Sequence, residues 1–325
     1  MLDYNLIYKL VLLLAYSIFA TWVAIPYVIK KCKLHGYMVR DWHKIGKPKT
    51  PVLGGVAIWI GILVSLALSQ LLFLDKTSNG SLFIFYFIVL LYGMYGILDD
   101  IFHFKIRYSK IIVLVILSIP IASLIPQGQV NIGFTSLSPS FFLLLLLGAI
   151  YVMFVSNLIN IHAGFNGLGP GTTLIMLVAA GIKSYMMYGF DKLIYLMPIL
   201  GGVFILFLYN KYPAKVFDGN VGAFLMGSAL GAFLIVNDFW LFGLIILIPH
   251  IITFILDTLV LGILKVPDKE FPKPRKDGLI IPDKTMRYKS LKNIVCTLFR
   301  LTEGQATNVL LLITAIFCFV AVMWI

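Results

Sequence analysis

The chain has 325 residues, 60% of them hydrophobic and 12% charged, with a mean hydropathy of +0.98. A soluble domain carries roughly 25% charged residues, so the composition excludes an ordinary soluble enzyme and a disordered chain. Lys and Arg number 26 against 14 Asp and Glu, a formal +12; in so apolar a chain that excess points to membrane loops before nucleic acid.

A bilayer core of about 30 Å takes roughly 20 apolar residues per helix, fewer inside a bundle. Apolar runs predict ten spans, over 7–29, 52–74, 82–98, 111–125, 141–159, 172–188, 194–209, 221–236, 240–264 and 308–325. Strict alternation is missing, which argues against a barrel. No small-residue cleavage site follows the first run before Lys30 and Lys31, so a retained span is expected and not a signal peptide. Ten spans put loops 30–51, 99–110, 157–171, 210–220 and 265–307 on one side, with 22 of the 26 cations. The positive-inside bias makes that side cytoplasmic and sends both termini outward. Counting Asp257, ten of the 14 acids lie there too. Cys32, Cys296 and Cys318 have no metal-binding spacing. The 126–140 segment reads as a plain connector, and 265–307 as the one large polar insertion.

Polar clusters at span ends demand an explanation, because ionisable groups at membrane depth are costly and mark substrate or ion paths. In chain order, RDWHKIGKPKTPVLGGVA (40–57) carries cations for lipid headgroups, then Gly54-Gly55, which permit close helix approach. Asp99-Asp100 close a span in GILDDIFHFKIRYSK. Two adjacent carboxylates suit a divalent cation or a base acting on phosphate; an interfacial pair neutralised by Lys105, Arg107 or Lys110 stands equally open. SNLINIHAGFNGLGPGTT (156–173) alternates Asn157, Asn160 and Asn166 with Gly164, Gly167, Gly169 and Gly171. Glycine admits a ligand close to the backbone, amides donate and accept, and a following helix N-terminus attracts anions. His162 alone reads as an interfacial histidine. In YNKYPAKVFDGNVGAFLMG (209–227), Asp218 and Asn220 flank Gly219, as a cation site or as an Asx-type cap. FPKPRKDGLIIPDKTMRYK (271–289) offers proline-punctuated cations for a diphosphate, or simple positive-inside bias. Acids for a divalent metal beside cations for anionic groups imply a phosphate-bearing substrate at one cytoplasmic cavity.

These clusters, in this order, resemble the polyprenyl-phosphate N-acetylhexosamine-1-phosphate transferases over nearly the whole chain from Asp41. NLINIHAGFNGLGPG resembles the archaeal and eukaryotic N-x-x-N-x-x-A-G-x-N-G-L form, where the bacterial form has D-G-x-D-G. YNKYPAKVFDGN and Asp99-Asp100 are similar to further family motifs. The resemblance implies an all-α polytopic membrane protein of ten transmembrane helices, both termini outside, with the active site at the cytoplasmic face. It implies one integral membrane domain over 1–325, with a cytoplasmic substrate loop at about 265–307. The implied reaction moves GlcNAc-1-phosphate from UDP-GlcNAc to dolichyl or another polyprenyl phosphate and releases UMP, opening lipid-linked glycan assembly for N-glycosylation.

By the same resemblance, Asp99 or Asp100 orients or deprotonates the lipid phosphate, and Lys110 neutralises phosphate. Asn160, Asp218 and Asn220 form the metal set for Mg²⁺, with Mn²⁺ as a substitute. Asn160 also joins the catalytic group. Gly164 and Asn166 contact uracil, Arg275 meets the diphosphate or sugar, and Asp41, Lys44, Asn157 and Gly167 complete the substrate-binding set. Membrane lipids are partners, nucleic acid is not, and a homodimer stays open. The compact Asn/Gly form favours an archaeal plasma membrane, or the ER membrane for a eukaryotic source.

Departures are visible. The family's VFxGD acid falls on Asn220, with Asp218 on the other side of Gly219; a bacterial third acid is His103; the lysine after the acid pair sits one residue late; and no histidine-rich loop motif stands in 265–307. Two further readings stay open: the same transfer with another UDP-N-acetylhexosamine for a cell-wall precursor, and a non-catalytic lipid-phosphate transporter or binder. Against the transporter stands the want of a Gly/Pro-broken pair of half-helices.

Overall fold

A computed structural model describes residues 4–72, 79–104, 107–126, 130–131, 136–263, 272, 274–282, 287 and 289–324. Helices dominate: α1 (Tyr4–His35), α2 (Gly55–Leu72), α3 (Asn79–Phe102), α4 (Arg107–Ser118), α5 (Phe141–His162), α6 (Leu168–Tyr188), α7 (Met197–Asn210), α8 (Gly219–Val236), α9 (Trp240–Ile246), α10 (Ile248–Ile263), α11 (Leu291–Phe299) and α12 (Glu303–Trp324). Over the described residues each of the ten apolar runs is mostly helical, the 111–125 run on α4 and the 3₁₀ turn Ile119–Leu124 that continues it.

Among the described residues six helices, α1, α2, α3, α5, α8 and α12, are long and apolar enough to cross a membrane. The 240–264 run, which reads as one span, is instead a pair of helices bent by 66°, making seven if the pair crosses as one. Pro249 lies just past the break, where its missing N–H is tolerated at a helix start. The pair has the geometry of a broken span or of a re-entrant loop, where the sequence suggested no such break. Exposed aromatics such as Phe19, Trp22, Phe141, Phe142 and Trp324 cover the outer helix faces. A surface of that kind faces lipid and not water, and the chain is a polytopic helical membrane protein.

At the centre stands α8. It is apolar all round, and every residue from Val221 to Val236 is buried, as expected of a helix with no polar face. It packs on α3 and α5, while α1 packs on α2 and α7, and α12 on α6. Small residues set the spacing. A Cβ on Gly55 would stand 2.2 Å from the backbone nitrogen of Gly222, so α2 and α8 touch backbone to backbone, as the glycine pair suggested.

The basic 40–57 segment is more than a headgroup patch. Strands β1 (Met38–Arg40) and β2 (Lys49–Pro51) pair antiparallel, Arg40 opposite Lys49, and set a small hairpin over the bundle end. In the 126–140 connector, β3 (Val130–Asn131) pairs with β4 (Ser136–Leu137). Within the large polar insertion, α11 and Ile280 join Phe165, Leu168, Ala306 and Leu310 in a second apolar cluster, apart from the main core.

Candidate active site

The ends of α3, α5 and α8 converge beneath the β1–β2 hairpin on one cavity of about 320 Å³. Of the residues singled out by sequence, Asp41, Asp100, Asn160, Gly164, Asp218 and Asn220 line it. Arg40, Trp42, His43, Phe165, Asn210 and Phe217 complete much of the wall. The hairpin's continuation is stitched to the Asp218 turn by Gly54 N–H to Phe217 O (2.8 Å) and Gly55 N–H to Asp218 O (2.9 Å).

The adjacent aspartates divide their work. Consecutive helical residues point about 100° apart, so the two carboxylates look in different directions. Asp100 accepts the backbone N–H groups of Asn220 (3.0 Å) and Val221 (3.1 Å), which anchors it on the positive end of α8. Asp99, only 2% exposed, accepts Lys110 Nζ at 2.7 Å and Asn220 Nδ2 at 3.0 Å. Lys110 thus reaches the acid pair despite its displaced spacing.

Asp218 has a different situation. Its Oδ2 is shut from water and has no hydrogen-bond partner. Burial, reinforced by repulsion from Asp100, pushes its carboxyl up to about 7. Such an orphaned buried oxygen is costly unless something fills it. Among the described residues no three of His, Cys, Asp and Glu gather into a self-contained metal cage. The donor set of Asp218, Asn160 and Asp100 around one cavity instead fits a hard cation held by one or two carboxylates, with the other positions left to substrate oxygens and water. Asn220, whose amide already donates to Asp99, is tied into the acid pair.

The glycine-rich loop is held rigidly. Asn166 is a hub: its Oδ1 accepts Lys44 Nζ and Ala214 N–H, and its Nδ2 donates to Asp41 at 3.3 Å. Its backbone N–H donates to Glu303 Oε1 at 2.7 Å, and its carbonyl accepts Thr307 Oγ1 at 3.2 Å. Both ends of its side chain are therefore taken by protein. Lys44 also pairs with Asp41. Gly167 N–H donates to Asn210 Oδ1 at 2.9 Å, which links this loop to the 210–218 loop. Asn157 turns back on its own helix, Nδ2 to Met153 O at 2.9 Å. Arg275 is exposed on the turn that Gly278 N–H closes to its carbonyl, and lies outside the cavity wall.

Several site residues escaped the sequence reading. His43 meets Phe165 edge-on at 4.8 Å and the Pro272 carbonyl at 3.2 Å; burial lowers it to about 4, so it stays neutral. Asn210 and Glu303 carry one visible signal each, a lone amide and a lone acid at the ends of apolar runs. Lys292, one of ten cations in its loop, carries none.

A half-open cavity at the ends of packed membrane helices, with Arg40 and an acid whose second oxygen is unpaired in its wall, defines a candidate ligand site of a membrane protein. The sequence pattern of glycosyl transferase family 4 matches residues 81–238. A Saccharolobus solfataricus protein provisionally named as a UDP-N-acetylglucosamine–dolichyl-phosphate N-acetylglucosaminephosphotransferase is 29% identical over 318 residues, 94% of each chain. A Sulfolobus acidocaldarius protein with the same provisional name is 31% identical over 73% of this chain and 74% of its own. The phospho-N-acetylmuramoyl-pentapeptide-transferase of Streptococcus agalactiae is 30% identical over 65% of this chain and 68% of its own. The chain belongs to glycosyl transferase family 4.

Proposed function

We propose that the protein transfers GlcNAc-1-phosphate from UDP-GlcNAc to dolichyl or a related polyprenyl phosphate, releasing UMP and a lipid-diphospho-sugar. The archaeal relative, similar end to end over 94% of both chains, supports the substrates, and the orphaned Asp218 oxygen beside Asp100 in one cavity supports the chemistry. The reaction exchanges one phosphoryl bond for another: an oxygen of the lipid phosphate attacks the β-phosphorus of the donor, and the bond to the UMP oxygen breaks. Such transfers need in-line positioning and neutralised charge more than covalent help.

Mg²⁺, with Mn²⁺ as substitute, would sit on Asp218 with Asn160 beside it, and when bound it neutralises the donor diphosphate. Lys110 and Asp99 hold a charged pair next to Asn220, which fixes the turn that carries Asp218. Asp100, clamped by two amides of α8, presents its remaining lone pairs to the cavity, where it orients or deprotonates the lipid phosphate. Asp41 and Lys44 hold the Asn166 loop whose Gly164 wall faces the nucleotide.

In the topology of this reading, ten spans place both termini outside and the cavity at the cytoplasmic face of the plasma membrane. The bent α9–α10 pair counts as one span, and α6 with the shorter α4 and α7 as three more. The 1–325 chain is then one integral membrane domain. The test is UMP release from UDP-GlcNAc by purified protein with dolichyl phosphate. Release that requires Mg²⁺ supports the reading; no release with any UDP-N-acetylhexosamine overturns it.

A further inference from the structure

The turn from Ala163 to Asn166 connects α5 to the run-in of α6 and contributes three consecutive residues, Ala163, Gly164 and Phe165, to the cavity wall. Its two ends are gripped by groups of opposite charge from the C-terminal part of the chain. At the first end, Lys292 Nζ donates to the Ala163 carbonyl and lies 5.9 Å from the centre of the Phe165 ring. At the second, Glu303 Oε1 accepts the Asn166 N–H at 2.7 Å, and Thr307 donates to the Asn166 carbonyl at 3.2 Å.

Each grip matches its local field. Ala163 caps the C-terminal end of α5, where unpaired carbonyls favour a cation. Asn166 presents a backbone amide, which favours a carboxylate. The backbone between them is shaped for the fit. Gly164 has φ +126°, and a Cβ there would stand 2.8 Å from Lys292 Nζ. Only glycine serves at such a position.

The carriers of both charges are themselves locked to the turn. Ser290 caps α11 by accepting the Asn293 N–H. Val295 and Cys296 of α11 pack with Phe165, Leu168 and Ala306 in the second apolar cluster, so α11, α12 and the turn form one unit.

We propose that Lys292 and Glu303 are positioning residues: a two-charge clamp through which the C-terminal segment sets the 163–166 turn for the donor nucleotide, acting on donor binding and not on the lipid acceptor. The proposal rests on the transferase reading above. Burial lowers the Lys292 ammonium to about 8, with Asp257 holding it up, and raises the Glu303 carboxyl to about 7, with the Asn166 amide holding it down; the clamp rests on the contacts and not on these shifts. A plain structural brace would affect folding and all substrates alike; a clamp on this turn affects the donor alone.

The experiment uses full-length purified protein and the variants Lys292→Met, Lys292→Arg and Glu303→Gln. Steady-state UMP release gives KM for UDP-GlcNAc and dolichyl phosphate, and calorimetry gives the Kd of UMP. Expected for Lys292→Met is a rise of about tenfold in donor KM and in UMP Kd, with kcat and acceptor KM within about threefold of wild type. Lys292→Arg restores most of the loss, and Glu303→Gln, which keeps an acceptor for the Asn166 amide, costs about threefold in donor KM. Should Lys292→Met not fold, Lys292→Gln keeps a donor without the charge and is measured in its place. Unchanged donor KM, or equal changes in kcat and both KM values, overturns the clamp. Wild-type protein that binds UMP but releases none from UDP-GlcNAc overturns the transferase reading instead, and the UMP affinities of the variants still decide the clamp.

Discussion

Replacing Asp218 by Asn removes one charge at the buried turn before α8 and leaves the shape almost unchanged. In the folded protein the carboxyl titrates at about 7 against an ordinary 3.8. That difference makes the ionised form costlier in the folded state by at most about 4 kcal/mol. The sign follows from proton linkage: the folded state holds the Asp218 proton more tightly than the unfolded state does. This contribution to stability is full below the ordinary carboxyl range and is lost as pH rises through about 7. Wild-type protein in detergent, freed of divalent cations by chelation, should therefore show a falling Tm between pH 5 and pH 8. Mg²⁺ at pH 8 should recover most of the loss, because a cation on the ionised carboxylate replaces the missing proton. Asp218→Asn should flatten the pH dependence, abolish the Mg²⁺ response, and lower UMP release on the order of 100-fold or more. A variant whose Tm still rises with Mg²⁺ as in wild type would show that the cation sits elsewhere and refute the assignment.

Other substitutions probe the neighbouring contacts. Asn220→Ala removes one neutral donor from Asp99 while Lys110 remains, so it should cost roughly 1 kcal/mol of stability and less activity than Asp218→Asn, read by thermal melts and UMP release side by side. Lys110→Met leaves the buried Asp99 carboxylate without its cation and should destabilise by about 3 kcal/mol or more, measured by the same melts. Gly55→Ala drives a methyl into the backbone of Gly222; overpacking of this kind costs about 1–3 kcal/mol where neighbours can shift, and here they are backbone, so the expected result is loss of monodisperse protein on size exclusion. Topology is tested by a cysteine at exposed Lys276, since the native Cys32, Cys296 and Cys318 are buried. Labelling of Lys276→Cys by an impermeant reagent in intact cells would contradict a cytoplasmic insertion.

The apolar runs were legible because membrane depth leaves one local option for the backbone: each run had to be helical to satisfy its own peptide groups. Asp100, Asn160, Asp218 and Asn220 were legible for the converse reason, as polar residues at the edge of long apolar runs. What pattern could not reveal was orientation. Asp99 and Asp100 are indistinguishable as letters, yet one faces Lys110 and the other an α8 N-terminus. Asn166 reads as a ligand amide, yet it is encircled by Lys44, Asp41, Ala214, Glu303 and Thr307. Those partners come from three distant stretches of chain, and no local spacing encodes them. The bend between α9 and α10 escaped because composition runs unbroken through it, with only Pro249 to mark the second start.

The site's position follows from the packing of the bundle more than from the polar residues themselves. A helix as apolar as α8 can be buried on all sides only if neighbours approach closely, and the small residues at Gly55, Gly96, Gly222 and Gly227 allow that approach. Once α2 and α3 lie against the first turn of α8, the free amides of that turn have one place to go. Asp100 takes two of them, which fixes the α3 end, and Gly54 and Gly55 bond the carbonyls of the preceding turn. The buried Asp218 Oδ2 is left without a partner. Of the buried polar atoms left without a partner among the described residues, Asp218 Oδ2 is the one that belongs to the cavity wall, and in the proposed reading that is where a cation binds.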